Sequence, residues 1–141
     1  MLILTENEKN LLTGLISSNS STTRTHLKNW SKDGTRYRKK EASPEKREEW
    51  QDLCNILPMN DRIIVKLNGV TDLTADEKIH IIAKLRRSLE SSQEFLLKFN
   101  EDGTKYKNGN PTKETLQHKF NQVIEGIPRK KELILKFTKN L

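Results

Sequence analysis

The chain repeats itself, and that constrains its fold more than any other property. Leu4-Thr5-Glu6-Asn7-Glu8-Lys9 returns 69 residues later as Leu73-Thr74-Ala75-Asp76-Glu77-Lys78. Asp33-Gly34-Thr35-Arg36-Tyr37-Arg38 returns at the same offset as Asp102-Gly103-Thr104-Lys105-Tyr106-Lys107, with Leu27 over Leu96 and Trp30 over Phe99. Past this segment the offset grows to 70, which sets Trp50 over Phe120, Leu53 over Val123, Leu57 over Ile127 and Pro58 over Pro128. An ordered series of apolar-on-apolar matches with one small insertion describes two copies of one unit, residues 1–69 and 70–141.

Each copy opens on a helix signal. Thr5 and Thr74 stand three residues before Glu8 and Glu77, the spacing at which a hydroxyl and a carboxylate cap each other's backbone amides. Leu11, Leu12, Leu15 and Ile16, and in the second copy Ile81, Ile82, Leu85 and Leu89, recur with helical period. The Ser/Thr-rich run from Ser17 to Thr23 is expected to end the first helix in a polar loop. A hairpin is expected next: Phe95, Leu97 and Phe99 alternate, and Gly34 and Gly103 sit where a turn needs positive φ. Pro44 and Pro111, preceded by Ser43 and Asn110, suit the start of a second helix. Pro58 and Pro128 are expected to stop it, leaving Arg62–Leu67 and Glu132–Phe137 as closing strands. The expectation is an α+β fold, a tandem duplication of an α-β-β-α-β unit. The five residues 68–72 are too short for a free linker, and two copies with so few core residues each are expected to pack with pseudo-twofold symmetry into one compact domain.

Charge narrows the partner. The chain of 141 residues carries a formal net charge of +7, of which residues 1–69 hold +3 and residues 70–141 hold +4. The excess is spread over both copies and favours nucleic acid or an acidic protein surface as partner. Solubility alone is the plain alternative. The cations concentrate at the expected hairpins: Arg36, Arg38 and Lys40 read as one face of a strand, with Lys39 adjoining, Arg24 and Lys28 nearby, and Lys105 and Lys107 repeating the pattern. Tyr37 and Tyr106 fall on the opposite face, where packing against the helices is favoured over stacking on bases. Arg86 and Arg87, with Lys84, mark the polar side of a helix. Arg129, Lys130 and Lys131 follow a proline, where a helix C-terminus attracts cations.

Enzyme readings lack parts. His26, His80 and His118 are scattered, no grouping offers metal-ligand spacing, and the six glycines form no phosphate loop. Cys54, the single cysteine, lies in an apolar helical pattern, which suits an inert thiol and excludes an internal disulfide. A non-enzymatic protein without cofactor is expected. The start of the sequence shows no signal-peptide core and no run is apolar enough to span a membrane, so the expected setting is intracellular, cytoplasmic or nuclear.

The stretch from Lys32 to Lys40, followed by a helix through Glu45 to Trp50, resembles the hairpin-and-helix segment of the arm-binding domains of phage tyrosine integrases. That resemblance implies a small sheet set in a DNA major groove. It covers this stretch alone, lacks that family's third strand, and has a helix ahead of the hairpin. A winged helix-turn-helix with the hairpin as wing is a weaker fit, because no recognition helix fits between Ser18 and Lys28. The leading expectation is a nucleic-acid-binding protein whose repeated basic hairpins contact phosphates. A protein-interaction module, inhibitor or adaptor, docking on an acidic partner is the alternative.

Overall fold

The computed structural model describes residues 2–69 and 72–141. Its elements are α1 (Glu6–Leu27), β1 (Arg36–Tyr37), β2 (Lys40–Glu41), α2 (Pro44–Leu67), α3 (Ala75–Leu96) and α4 (Glu114–Lys139). The expected α+β tandem of α-β-β-α-β units is overturned. Among the described residues the chain is mostly helical, and its sheet is one two-stranded antiparallel hairpin, β1 with β2. The joining segment at residues 68–72 falls partly outside the described residues.

Three local readings account for the error. First, Pro58 and Pro128 do not stop helices; both lie inside them. Each proline removes one backbone bond and costs roughly 3 kcal/mol. Both prolines sit on exposed faces, and the residues beyond them bury apolar surface in helical register. Ile63 and Leu67, four apart, are buried, as are Leu133 and Phe137. Val65 is 71% exposed and Leu135 55%. A strand would put Ile63, Val65 and Leu67 on one face. Their unequal burial is that of a helix.

Second, the Ser17–Thr23 run does not end α1. Ser and Thr are modest helix formers, but Ser20 and Thr23 are buried where α2 packs on α1. Their small side chains allow that approach, and the Asn60 amide on α2 donates to Asn19 Oδ1 at 2.9 Å and Ser20 Oγ at 3.0 Å. Third, Asn110 and Pro111 do not open α4. Lys113 is its N-cap, without a side-chain bond, and Pro111 instead faces Lys105 across the second loop. Likewise Phe95 lies in α3, and Trp30 and Phe99 form isolated bridges to Tyr37 and Tyr106 in place of strands.

The caps hold. Glu8 N donates to Thr5 Oγ1 at 3.1 Å and Thr5 N to Glu8 Oε1 at 2.8 Å. Thr74 and Glu77 repeat the pair at 3.2 and 2.8 Å. Ser43 caps α2 through Lys46 N, with Pro44 in the first turn.

The described chain divides into two compact units. One comprises Leu4–Glu77: α1, the hairpin, α2 and the first residues of α3. Leu12, Ile16, Ile63 and Leu67 are buried there. The other comprises Lys78–Leu141 with the stretch ending at Ile3. It buries Ile81, Ile82, Leu85, Phe99, Phe120, Leu133 and Phe137. Within it Lys130 Nζ donates to Ser92 Oγ at 2.9 Å, and burial pushes that lysine's pKa down.

Glu77 ties the first unit to its own C-terminal boundary. It is 2% exposed, and Lys66 Nζ stands 2.6 Å from its carboxylate with Arg62 Nε at 3.8 Å. Burial raises its pKa, but the Lys66 bond and the two Thr74 bonds outweigh burial and hold it below the ordinary 4.5. A carboxylate depressed by folding adds stability above its ordinary pKa, and that stability is lost as pH falls through the lowered value. Glu77→Gln is therefore expected to cost about 2 kcal/mol at neutral pH and to flatten the acid decline. Thermal melts of both proteins from pH 7 to pH 3 check this; equal acid slopes would refute it.

Candidate functional site

Each unit carries one long non-helical connection, and the two are built alike. Asp33 Oδ1 accepts from Thr35 N at 3.1 Å, Thr35 Oγ1 at 2.7 Å and Ser31 Oγ at 2.8 Å. Asp102 Oδ1 accepts from Thr104 N at 3.0 Å and Thr104 Oγ1 at 2.6 Å. The Thr35 bonds, hydroxyl first, and then the Ser31 hydroxyl lower the Asp33 pKa to about 2; the Thr104 bonds lower Asp102 likewise. Backbone bonds recur in register: Ser31 N to Arg36 O and Asn100 N to Lys105 O, Arg38 N to Asn29 O and Lys107 N to Lys98 O, Ala42 N to Thr35 O and Thr112 N to Thr104 O.

An aromatic box fixes each loop. Trp30 is buried, its Nε1 donates to Lys46 O at 3.1 Å, and its ring lies 4.6 Å from that of Tyr37. Phe99 stacks on Tyr106 at 5.4 Å and meets Phe120 edge-on at 5.7 Å. Gly34 and Gly103, at φ 74° and 75°, run beneath Trp50 and Phe120.

The loops differ at their tips. In the first, Tyr37 pairs with Lys40, so Arg38 and Lys39 alone make the turn, with φ of 49° and 68°. Positive φ at both central residues is the twist a two-residue hairpin favours, and Asn-Gly is its preferred filling. For residues with a Cβ it costs about 1–2 kcal/mol each. In the second loop Tyr106 N donates to Asn110 O, and Lys107, Asn108 and Gly109 lie between them. Only Gly109 of these has positive φ, at 88°. That is a three-residue turn with glycine in the left-handed position. The extra residue is the insertion that moves the repeat offset from 69 to 70.

The hairpin register corrects one expectation. Residues opposite each other on paired strands share a face. Arg36 opposes Glu41 and Tyr37 opposes Lys40, so Arg36 and Lys40 lie on opposite faces, with Arg38 in the turn. The three do not form one strand face. The first unit nonetheless gathers Arg24 in the last turn of α1, Lys28 at its C-cap, and Arg36, Arg38, Lys39 and Lys40 in the hairpin, all exposed. Lys105 and Lys107 stand exposed in the second unit's loop. Arg86 and Arg87 are exposed mid-helix in α3, roughly 15 Å along its axis from Leu96, where that loop begins. Among the described residues no carboxylate forms an ion pair with any of these ten side chains.

Lys46 joins the site although the sequence reading passed over it. Its Nζ stands 4.4 Å from the Tyr37 ring centre, and Arg38 approaches the same ring at 5.1 Å. Tyr37, Arg38, Lys40, Glu41, Ser43 and Lys46 line a shallow groove of about 350 Å³. The bond that Lys46 Nζ donates to the Glu49 carboxylate, at 3.0 Å, raises the Lys46 pKa, and Arg47 reaches Glu41 at 3.7 Å. The available signal was the Ser43-Pro44 start, which sets Lys46 in the first turn of α2 below the hairpin. The second loop has Thr115 or Leu116 near the matching place and no such cation.

Chemically, the first loop offers exposed guanidinium and ammonium groups on a rigid frame, suited to binding anionic oxygens. No three His, Cys, Asp or Glu side chains converge to hold a metal among the described residues, and no helix there is long and apolar enough to cross a membrane. Comparison with protein-family models, with curated proteins and with solved structures gave no match.

Proposed function

We propose that the protein binds nucleic acid through its phosphate backbone, with the first unit's loop as the principal contact. The observation that carries this reading is the cluster Arg36, Arg38, Lys39 and Lys40. The four cations are exposed, unpaired by carboxylates among the described residues, and mounted on a hairpin held by Trp30, Tyr37 and the Asp33 turn. Cations already balanced by neighbouring carboxylates would gain little from a phosphate. Here each contact releases a condensed counterion, which supplies affinity and makes it salt-dependent. The fixed frame lowers the entropy lost when the side chains engage. Lys105 and Lys107 on the second loop offer a smaller set of the same kind, and Arg86 and Arg87 lie away from that loop along α3.

Fluorescence anisotropy with labelled single- and double-stranded DNA and RNA tests the reading at low and near-physiological salt. The expected result is micromolar or tighter binding that weakens steeply with salt. Arg36→Glu with Lys40→Glu is expected to weaken it roughly tenfold or more. Absence of binding to all four probes at low salt would reject nucleic acid and turn the search to an acidic protein partner.

A further inference from the structure

Two features of the first loop bear on which nucleic acid it takes and where. The first is the turn itself. Arg38 and Lys39 hold positive φ at an exposed tip, in a two-residue turn that Asn-Gly fills without strain. The second copy of the same loop relieves this strain with one extra residue and Gly109. The fold therefore accommodates a relaxed tip, and the first unit keeps a strained, dibasic one. Among the described residues neither side chain has an ion pair to offset the strain. Arg38 does approach the Tyr37 ring, but at 5.1 Å on an exposed loop that contact is weak. Strain retained at a surface site and offset only in part by local contacts points to a role for the side chains it presents.

The second feature is the aromatic inventory. Single strands are held largely by bases stacked on exposed rings. All eight aromatic side chains lie among the described residues, and each is buried or half-buried. Tyr37, nearest the cations, has Trp30 at 4.6 Å and Lys46 at 4.4 Å. No ring stands fully exposed as a stacking platform, so phosphate charge is the main recognition chemistry on offer. That charge is densest on a duplex.

We infer that the Arg38–Lys39 turn is the element that docks on the phosphates of a nucleic-acid duplex, and that the second loop's relaxed tip is not its equal. The inference rests on the nucleic-acid reading above. Two double variants test it beside the parent. Arg38→Asn with Lys39→Gly copies the favoured turn chemistry; it is expected to raise Tm by about 3 °C and to weaken duplex binding roughly tenfold, with the salt slope shallower by about two. Arg38→Ala with Lys39→Ala keeps the strained backbone and removes the charge, so it is expected to lose the same affinity without the gain in Tm. The matching pair Lys107→Ala with Asn108→Ala is expected to weaken duplex binding by less. The parent is expected to bind duplex more tightly than single strand of equal length.

Unchanged duplex affinity in the Asn-Gly variant would remove the turn from the interface while leaving the nucleic-acid reading standing. An Asn-Gly variant no more stable than the parent would overturn the strain argument. A parent that binds single strands as tightly as duplex would overturn the duplex assignment. A parent that binds neither would overturn this inference together with the reading beneath it.

Discussion

Gly34→Ala and Gly103→Ala are each expected to destabilise the protein by about 3 kcal/mol, combining left-handed strain with overpacking. Two causes act at once. Both glycines have φ near 75°, where a Cβ crowds its own carbonyl. In addition, the new methyl would lie 2.3 Å from Trp50 Cδ2 in the first loop and 2.4 Å from Phe120 Cδ1 in the second. Neither ring can retreat freely: Trp50 sits on α2 over the loop, and Phe120 is buried against Phe99. Gly109→Ala separates the two causes. That glycine has φ 88°, but a methyl there would meet nothing within 4 Å, so strain alone remains, at about 1–2 kcal/mol. Urea unfolding of the three variants checks the order. If Gly34→Ala and Gly103→Ala cost no more than Gly109→Ala, the ring contacts do not hold the loops as described. Of the three, Gly34→Ala alone would loosen the frame beneath Arg36, Arg38, Lys39 and Lys40, so it should also weaken any binding more than Gly109→Ala does.

Phe137→Ala is expected to cost about 4 kcal/mol, whereas Leu135→Ala should stay within about 0.5 kcal/mol of the parent. Phe137 is fully buried and Leu135 is 55% exposed, although both belong to the apolar run Leu133-Ile134-Leu135-Lys136-Phe137. The first truncation opens a ring-sized void in a packed core; the second removes a side chain already largely in water. The pair also distinguishes secondary structures. On a strand, residues two apart share a face and the two losses would be alike. On α4 they point in different directions. Ile63→Ala against Val65→Ala repeats the contrast in α2, where Ile63 is buried and Val65 is 71% exposed. Similar losses at Leu135 and Phe137 would contradict a helix that continues past Pro128.

Legibility in the sequence followed the range of the interaction. The Thr5/Glu8 and Thr74/Glu77 caps, the Ser43-Pro44 helix start and the left-handed glycines at 34 and 103 could be read directly, because each is settled within a few residues of backbone. The loop turns were half legible. The Asp-Gly-Thr motif marked where the chain turns, but the bridge partners of Trp30 and Phe99 showed only in the structure. The candidate site divided in the same way. Its cations were visible as a cluster, while the register that sets Arg36 and Lys40 on opposite faces, and the placement of Lys46 over Tyr37, needed the fold.

The largest departure concerns the segments after the two prolines. Read alone, Ile63-Ile64-Val65 and Leu133-Ile134-Leu135 are β-prone runs behind a helix breaker. The Ser/Thr run at 17–23 is similarly a plausible loop. Local preference in each is worth a few kcal/mol at most. Burying Ile63, Leu67, Leu133 and Phe137, and pairing Asn60 with Asn19 and Ser20 across α1 and α2, is worth more. By itself the sequence determined the repeat, the caps, the turn glycines and the concentration of positive charge, all of which depend on neighbouring residues or on composition. Only the tertiary structure decided that the helices run through their prolines, because that outcome rests on contacts between residues far apart in the chain; the register that parts the cations is local, but it is set by a turn at Arg38-Lys39 that carries no glycine or asparagine to announce it.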